Sequence, residues 1–215
     1  MKIALINENS QASKNGLIFS ALENVAVPLG HQCFNYGRFS ASDPHERTYV
    51  QAGLLAAILL NSRAADFVIT GCGTGMGAML ACNSFPGVMC GWAREPLESY
   101  LFSQVNAGNA LSVPFAMGFG WGGELELEYI FEKLLAHPMG GGYPDEWAGS
   151  EAMNRETFMG VKAMSHRSML EILRNIDSKL LMDTIAGPVF PKLFFENCQD
   201  GPISGYIRSI LAGTC

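Results

Sequence analysis

Phe67-Val68-Ile69-Thr70-Gly71-Cys72-Gly73-Thr74-Gly75-Met76-Gly77 joins a β-prone apolar run to a loop with glycine at every second position. Residues 78–83 then continue in a helical pattern, so the stretch reads as a strand, a glycine-rich turn and a helix. The same alternation extends outward in both directions. Residues 2–6, 26–34, 88–92 and 110–113 are β-prone, whereas 13–25, 95–105 and 124–136 are helix-prone. Asp43-Pro44-His45 supplies a candidate N-cap and first-turn proline for a further helix ending near Asn61. Strands alternating with helices of this length predict an α/β fold: a parallel five-stranded sheet with helices on both faces, in a Rossmann-like three-layer arrangement. Ligands of such sheets bind outside the carboxyl ends of the strands, where both 7–11 and 71–77 fall.

Residues 138–144 form a glycine- and proline-rich break. Beyond it, 150–179 is helix-prone with Ser150 as a candidate cap. The tail from Asp183 carries prolines and glycines together with Phe190, Leu193, Phe194 and Phe195. It is too apolar for a disordered tail. The expected organisation is an α/β domain over 1–160 and a helical extension over 161–215, packed on the core or on a partner subunit.

The 215 residues fit one domain with a substantial core. Hydrophobic residues make up 48% and charged residues only 16%, which suggests surface hidden by oligomerisation. A net charge of −6 argues against nonspecific nucleic-acid binding, which rests on clustered Lys and Arg. The six cysteines (Cys33, Cys72, Cys82, Cys90, Cys198 and Cys215) show no zinc-binding spacing, and no secretory leader precedes them. Reduced thiols in a cytoplasmic protein are the expectation, and no apolar stretch is long enough to span a membrane.

Four glycines in seven residues allow successive N–H groups to face one concavity, and a following helix adds its positive end. Such a cradle suits a phosphate or the oxyanion of an enolate. Cys72 is the reactive side chain there. A thiol at a helix N-terminus can serve as base or nucleophile, although a small buried residue is an equally ordinary fate for a cysteine. The spacing is not the Gly-x-Gly-x-x-Gly dinucleotide fingerprint, and no acidic residue ends a strand about twenty residues on.

The run 66–77, followed by Ala81-Cys82-Asn83, resembles the signature of the ribose 5-phosphate isomerase B and galactose 6-phosphate isomerase family. Arg94-Glu95-Pro96 and the stretch Ser103-Gln104-Val105-Asn106-Ala107-Gly108-Asn109-Ala110-Leu111 extend the resemblance, which covers roughly 1–160. It implies a five-stranded parallel sheet and a homodimer with sites at the interface. It also implies aldose–ketose isomerisation through a cis-enediolate, with neither metal nor organic cofactor. On this resemblance Cys72 is the catalytic base and Thr74 contacts substrate oxygens. Gly73, Gly75 and Gly77 form the anion cradle, Tyr49 lines the sugar site, and Asn106 reaches in from the neighbouring subunit.

The departures are specific. The family's Asp-His after the first strand is Glu8-Asn9 here: Glu8 can accept a sugar hydroxyl, but Asn9 cannot become a cation. The ring-opening histidine is Val105, which cannot transfer a proton. A phosphate-binding arginine expected near Phe115-Ala116 is absent, and Arg155 alone remains of a C-terminal basic pair. Arg94 and His45 are candidate replacements, with a surface charge and an ordinary first-turn histidine as the plainer alternatives. Two functions remain open: an isomerase of a sugar or sugar phosphate that is already linear or opens unaided, and a sugar-phosphate-binding protein that has lost turnover.

Overall fold

In the computed structural model, which describes residues 1–213, five strands form one parallel sheet in the order β2-β1-β3-β5-β4. They are β1 (Lys2–Asn7), β2 (Gln32–Asn35), β3 (Phe67–Cys72), β4 (Cys90–Trp92) and β5 (Ala110–Pro114). Period-two alternation in the strands feeds two cores. Ile3, Leu5, Phe67, Ile69, Leu111 and Val113 face α1 (Asn15–Ala26) and α5 (Gly123–Leu135). Ala4, Ile6, Val68 and Ala110 face the opposite layer, built on α2 (Tyr49–Asn61) and α3 (Met76–Asn83). The three-layer α/β expectation holds.

Helix α2 is apolar all round, and Ala52 through Leu60 are buried throughout. Such a helix must be covered on its outer side. Met169, Leu173, Leu181, Ile185, Phe190, Phe194 and Ile207 join the same buried cluster. They belong to the C-terminal helices α7 (Met169–Asn175), α8 (Ser178–Thr184), α9 (Val189–Asn197) and α10 (Pro202–Leu211), or to the link between them. The C-terminal region therefore shares a core with the sheet. Among the described residues, no helix is long and apolar enough to cross a membrane.

Several local readings are corrected. Asp43 does not cap a helix. Its carboxylate accepts from the Phe39 and His45 N–H groups and closes a turn, while Thr48 caps α2 in a capping box with Gln51. The helix expected over 13–25 begins at Asn15, after a 3₁₀ turn at Asn9–Lys14. The helix expected over 95–105 is α4 (Pro96–Leu101), continued by a π turn at Phe102–Asn106.

Ser150 lies inside α6 (Ala148–Ser165), whose N-cap is Trp147; the Ser150 hydroxyl instead donates to the Trp147 carbonyl. The stretch read as one helix over 150–179 is divided among α6, α7 and α8. Extended residues at His166 and Ile176 interrupt it, and each is followed by a capped start, at Ser168 and Asp177. Cys33, Cys72, Cys82, Cys90 and Cys198 are free thiols. Cys215 lies outside the described residues.

Candidate active site

Gly71 and Cys72 are the last residues of β3, and α3 starts at Met76 rather than after Gly77, so the connecting loop is shorter than the glycine pattern suggested. The glycines have distinct jobs. A Cβ on Gly71 would lie 2.2 Å from the Val113 carbonyl oxygen and 2.5 Å from the Phe115 ring, so β3 and β5 could not approach. Gly75 is the N-cap of α3 with φ +72°, a conformation other residues rarely adopt. Its would-be Cβ would also meet the Trp92 indole at 2.7 Å. Gly77 lies against the Tyr49 ring, 3.3 Å from a would-be Cβ. Gly73 differs: a Cβ there would meet nothing closer than 3.7 Å, and its neighbours are Ala116, Gln11 and Ser10.

The loop is fixed from β4 and β5. The Trp92 indole donates to the Thr74 carbonyl at 2.9 Å, and the Ser112 hydroxyl to the Gly75 carbonyl at 2.6 Å. Thr74 is exposed, and its hydroxyl accepts the Met76 N–H at 3.4 Å. Cys72 is 8% exposed, at the carboxyl end of the sheet. Its carbonyl accepts the Phe115 N–H at 3.1 Å.

The open side of Gly73 faces a polar wall made by Ser10 and Gln11, joined to the expected Glu8 and to Lys14, which the sequence motifs did not single out. The Ser10 hydroxyl donates to the Glu8 carboxylate at 2.6 Å, and the Gln11 amide donates to Ser10 at 3.0 Å. Lys14 Nζ donates to Gln11 Oε1 at 2.8 Å and to the Phe115 carbonyl. It also sits 4.2 Å over the Phe119 ring, and burial lowers its pKa. A cation thus occupies the neighbourhood of Phe115, where the expected arginine was missing. Its spacing from Glu8 was the available signal.

Asn9 has a holding role. Its Oδ1 accepts the Arg47 N–H at 2.5 Å and Arg38 Nη1 at 3.0 Å, tying the 3₁₀ turn to the segment that leads into Tyr49. His45 is turned to the Asp43 carboxylate at 3.3 Å and packs against Gly187. Arg94 pairs with Glu95 on the surface.

Asn106 and Arg155 do not share a cavity with Cys72 in this chain. They line a separate cavity of about 760 Å³ between the π turn and α6, together with Val105 and Lys162. Lys162 is buried there, and its ammonium donates to the Asn83 carbonyl at 2.9 Å. Among the described residues, no group of three or more His, Cys, Asp and Glu side chains is arranged to hold a metal ion.

The family described as Ribose/Galactose Isomerase matches residues 3–137. This chain belongs to that family. A second family, described as Ribose-5-phosphate isomerase, matches 164–210, so the C-terminal helices also have relatives. A crystal structure of a 4-deoxy-L-threo-5-hexosulose-uronate ketol-isomerase complexed with a tartrate is 56% identical, covering 99% of this chain and 100% of that one with a TM-score of 0.96. A ribose-5-phosphate isomerase from Vibrio parahaemolyticus is 47% identical over 97% of this chain and 98% of that one, with a TM-score of 0.94. The type B ribose 5-phosphate isomerase of Trypanosoma cruzi shares the fold at 16% identity, over 76% of this chain and 99% of that one, with a TM-score of 0.63. None of the curated proteins matches significantly. The family membership and the two near structures make the protein an isomerase that acts on a sugar.

The glycine geometry separates fold from function. Gly73→Ala is expected to melt within about 2 °C of the wild type, as surface substitutions without a clash do, yet to lose most isomerase activity by filling the cradle. Gly71→Ala is expected to fail to fold stably. A thermal melt with an activity assay checks both.

Proposed function

We propose that the protein interconverts the aldose and ketose forms of an open-chain sugar acid, a 4-deoxy-5-hexosulose uronate, with Cys72 as the base. The observation that carries this reading is Val105 at the ring-opening position, in a chain 56% identical to a ketol-isomerase of that compound. A sugar with a ketone at carbon 5 and no hydroxyl at carbon 4 has neither hydroxyl that closes the common rings onto its aldehyde. It presents a linear chain, so a ring-opening histidine has no task. A uronate also lacks a phosphate, which accounts for the absent arginines.

The Cys72 thiolate removes the proton from carbon 2, and the electron pair moves to the carbonyl oxygen of carbon 1. The resulting enediolate oxygen lies against the N–H groups of the loop, with Gly73 giving the closest approach. The hydroxyl proton passes between the two oxygens through Thr74, and the thiol, whose S–H proton exchanges with solvent, protonates carbon 1. Glu8 and Ser10 accept and donate to the hydroxyls further along the chain. Tyr49 covers the apolar side. Lys14 is the cation for the carboxylate, in place of a phosphate clamp.

The working unit is a homodimer. Asn106 and Arg155 lie away from Cys72 in one protomer, and a partner's copy of them completes the site across the interface.

The enzyme is expected to turn over the deoxyhexosulose uronate at least tenfold more efficiently than ribose 5-phosphate in kcat/KM. Cys72→Ala is expected to lose a hundredfold or more, about what removing a positioned base costs. Equal preference for the phosphate would overturn the sugar-acid reading, and an active Cys72→Ala variant would remove Cys72 as base. Lys14→Met is expected to raise KM for the uronate by roughly tenfold or more, from the loss of one charge-assisted hydrogen bond, with little change in kcat. Finally, mixing unfolded Cys72→Ala and Asn106→Ala chains and refolding them is expected to restore about a quarter of wild-type activity, because only mixed dimers carry one intact shared site. No restoration contradicts the shared site.

A further inference from the structure

Between β3 and α3 every carbonyl from Cys72 to Gly75 is held, but not by the same kind of donor. The Phe115 and Ala116 N–H groups donate to the Cys72 and Gly73 carbonyls at 3.1 and 3.0 Å. Both donors are backbone groups, so these bonds do not depend on a side chain. The Gly75 carbonyl has two donors, the Ser112 hydroxyl and the Met79 N–H. The Thr74 carbonyl differs. No backbone N–H of the described residues reaches it, and the Trp92 indole is its donor at 2.9 Å. One side chain therefore sets how the peptide between Thr74 and Gly75 is turned.

That peptide is trans. A trans peptide is planar, with its C=O and N–H pointing in opposite directions. Turning the Thr74 carbonyl toward Trp92 thus turns the Gly75 N–H away from Trp92. In the sheet, β5 and β4 lie on one side of β3 and β1 lies on the other. Trp92 ends β4, whereas Ser10 and Gln11 follow β1 and border the open side of Gly73. The Gly75 N–H makes no hydrogen bond to another backbone group. The indole reaches the loop because position 75 has no side chain: a Cβ there would lie 2.7 Å from the indole nitrogen. Trp92 also pairs with Ser112 in the β4–β5 register, so the two side-chain donors come from adjacent strands at one level.

We propose that Trp92 is a positioning residue for the isomerisation: by holding the Thr74 carbonyl on the β4 side, it aims the Gly75 N–H at the enediolate oxygen on the β1 side. The role rests on the reading of the loop as the oxyanion cradle. Trp92 acts through the peptide and not on the sugar, so its contribution is to the transition state, where the oxygen carries the most charge.

The test uses two variants and the sugar that the wild-type enzyme turns over fastest. Trp92→Phe keeps an aromatic ring without the N–H. Site-specific replacement of Trp92 by benzothienylalanine keeps the indole's shape, with sulfur in place of the N–H. In both, kcat is expected to fall at least about tenfold, short of the hundredfold or more that losing a whole oxyanion donor costs. KM is expected to stay within about twofold, because the lost interaction is made in the transition state. The benzothienyl variant is expected to melt within about 5 °C of the wild type, having lost one neutral hydrogen bond. Full kcat in the benzothienyl variant, or a loss confined to KM in both variants, overturns the proposal. A fully active Gly73→Ala enzyme would instead sink the cradle reading itself, whereas an inactive Gly73→Ala beside unimpaired Trp92 variants sinks the Trp92 role alone.

Discussion

At Gly71 the backbones of β3 and β5 close to a distance that leaves no room for a side chain, since a Cβ would lie 2.2 Å from the Val113 carbonyl oxygen. That approach sets where β3 ends, and therefore where Cys72 sits: at the carboxyl edge of the sheet, beside Pro114 in the register. The turn that follows has few options. Gly75 adopts φ +72° to start α3, and Trp92 and Ser112 hold the Thr74 and Gly75 carbonyls. With those carbonyls engaged from the neighbouring strands, the loop N–H groups are the ones proposed to meet the oxyanion. Pre-organisation of this kind stabilises an oxyanion without a reorganisation cost at the moment of reaction.

The rest of the molecule supports that edge from behind. Helix α2 packs against α3 so closely that a Cβ on Gly53 would lie 2.6 Å from the Ala81 backbone. Being apolar on every side, α2 needs a second cover, which Leu173, Leu181, Phe190 and Phe194 supply. The C-terminal helices therefore complete the hydrophobic layer on which the catalytic edge rests. Arg47, donating to the Thr184 carbonyl and through its N–H to Asn9, links that cover to the turn after β1.

Much of this was legible in the sequence, for identifiable reasons. The sheet followed from apolar runs separated by helical stretches, and the place of the glycine-rich loop at the carboxyl ends of the strands from its position among them. The division of labour among the glycines was not legible, because it depends on what lies opposite each one. Gly71, Gly75 and Gly77 are constrained by Val113, Trp92 and Tyr49, and Gly73 alone opens toward Ser10 and Gln11. Asp43-Pro44 imitated a helix start, yet Thr48 with Gln51 three residues later holds the true capping box. Residues 7–11 were legible as lying at the carboxyl end of β1 and Glu8 as a site residue, whereas Lys14 and the hydrogen-bonded chain that runs to it from Glu8 through Ser10 and Gln11 were not. Only the 3₁₀ turn brings the next residues alongside. The family resemblance had already set Asn106 apart from Cys72, and only the folded chain puts Arg155 beside it in the same cavity.

Substitutions that look like losses against the family pattern become consistent once the substrate is linear and carboxylated. On the proposed reading, Val105 removes a function that an open-chain aldehyde does not need, and Lys14 supplies one positive charge where a phosphate would call for several. The most direct measurement is turnover of the deoxyhexosulose uronate in deuterium oxide, followed by mass spectrometry of the product. An enediolate formed by Cys72 predicts solvent deuterium at the carbon that receives the proton, and no such label from Cys72→Ala in the same time. Labelled product formed at the normal rate by Cys72→Ala would contradict the account.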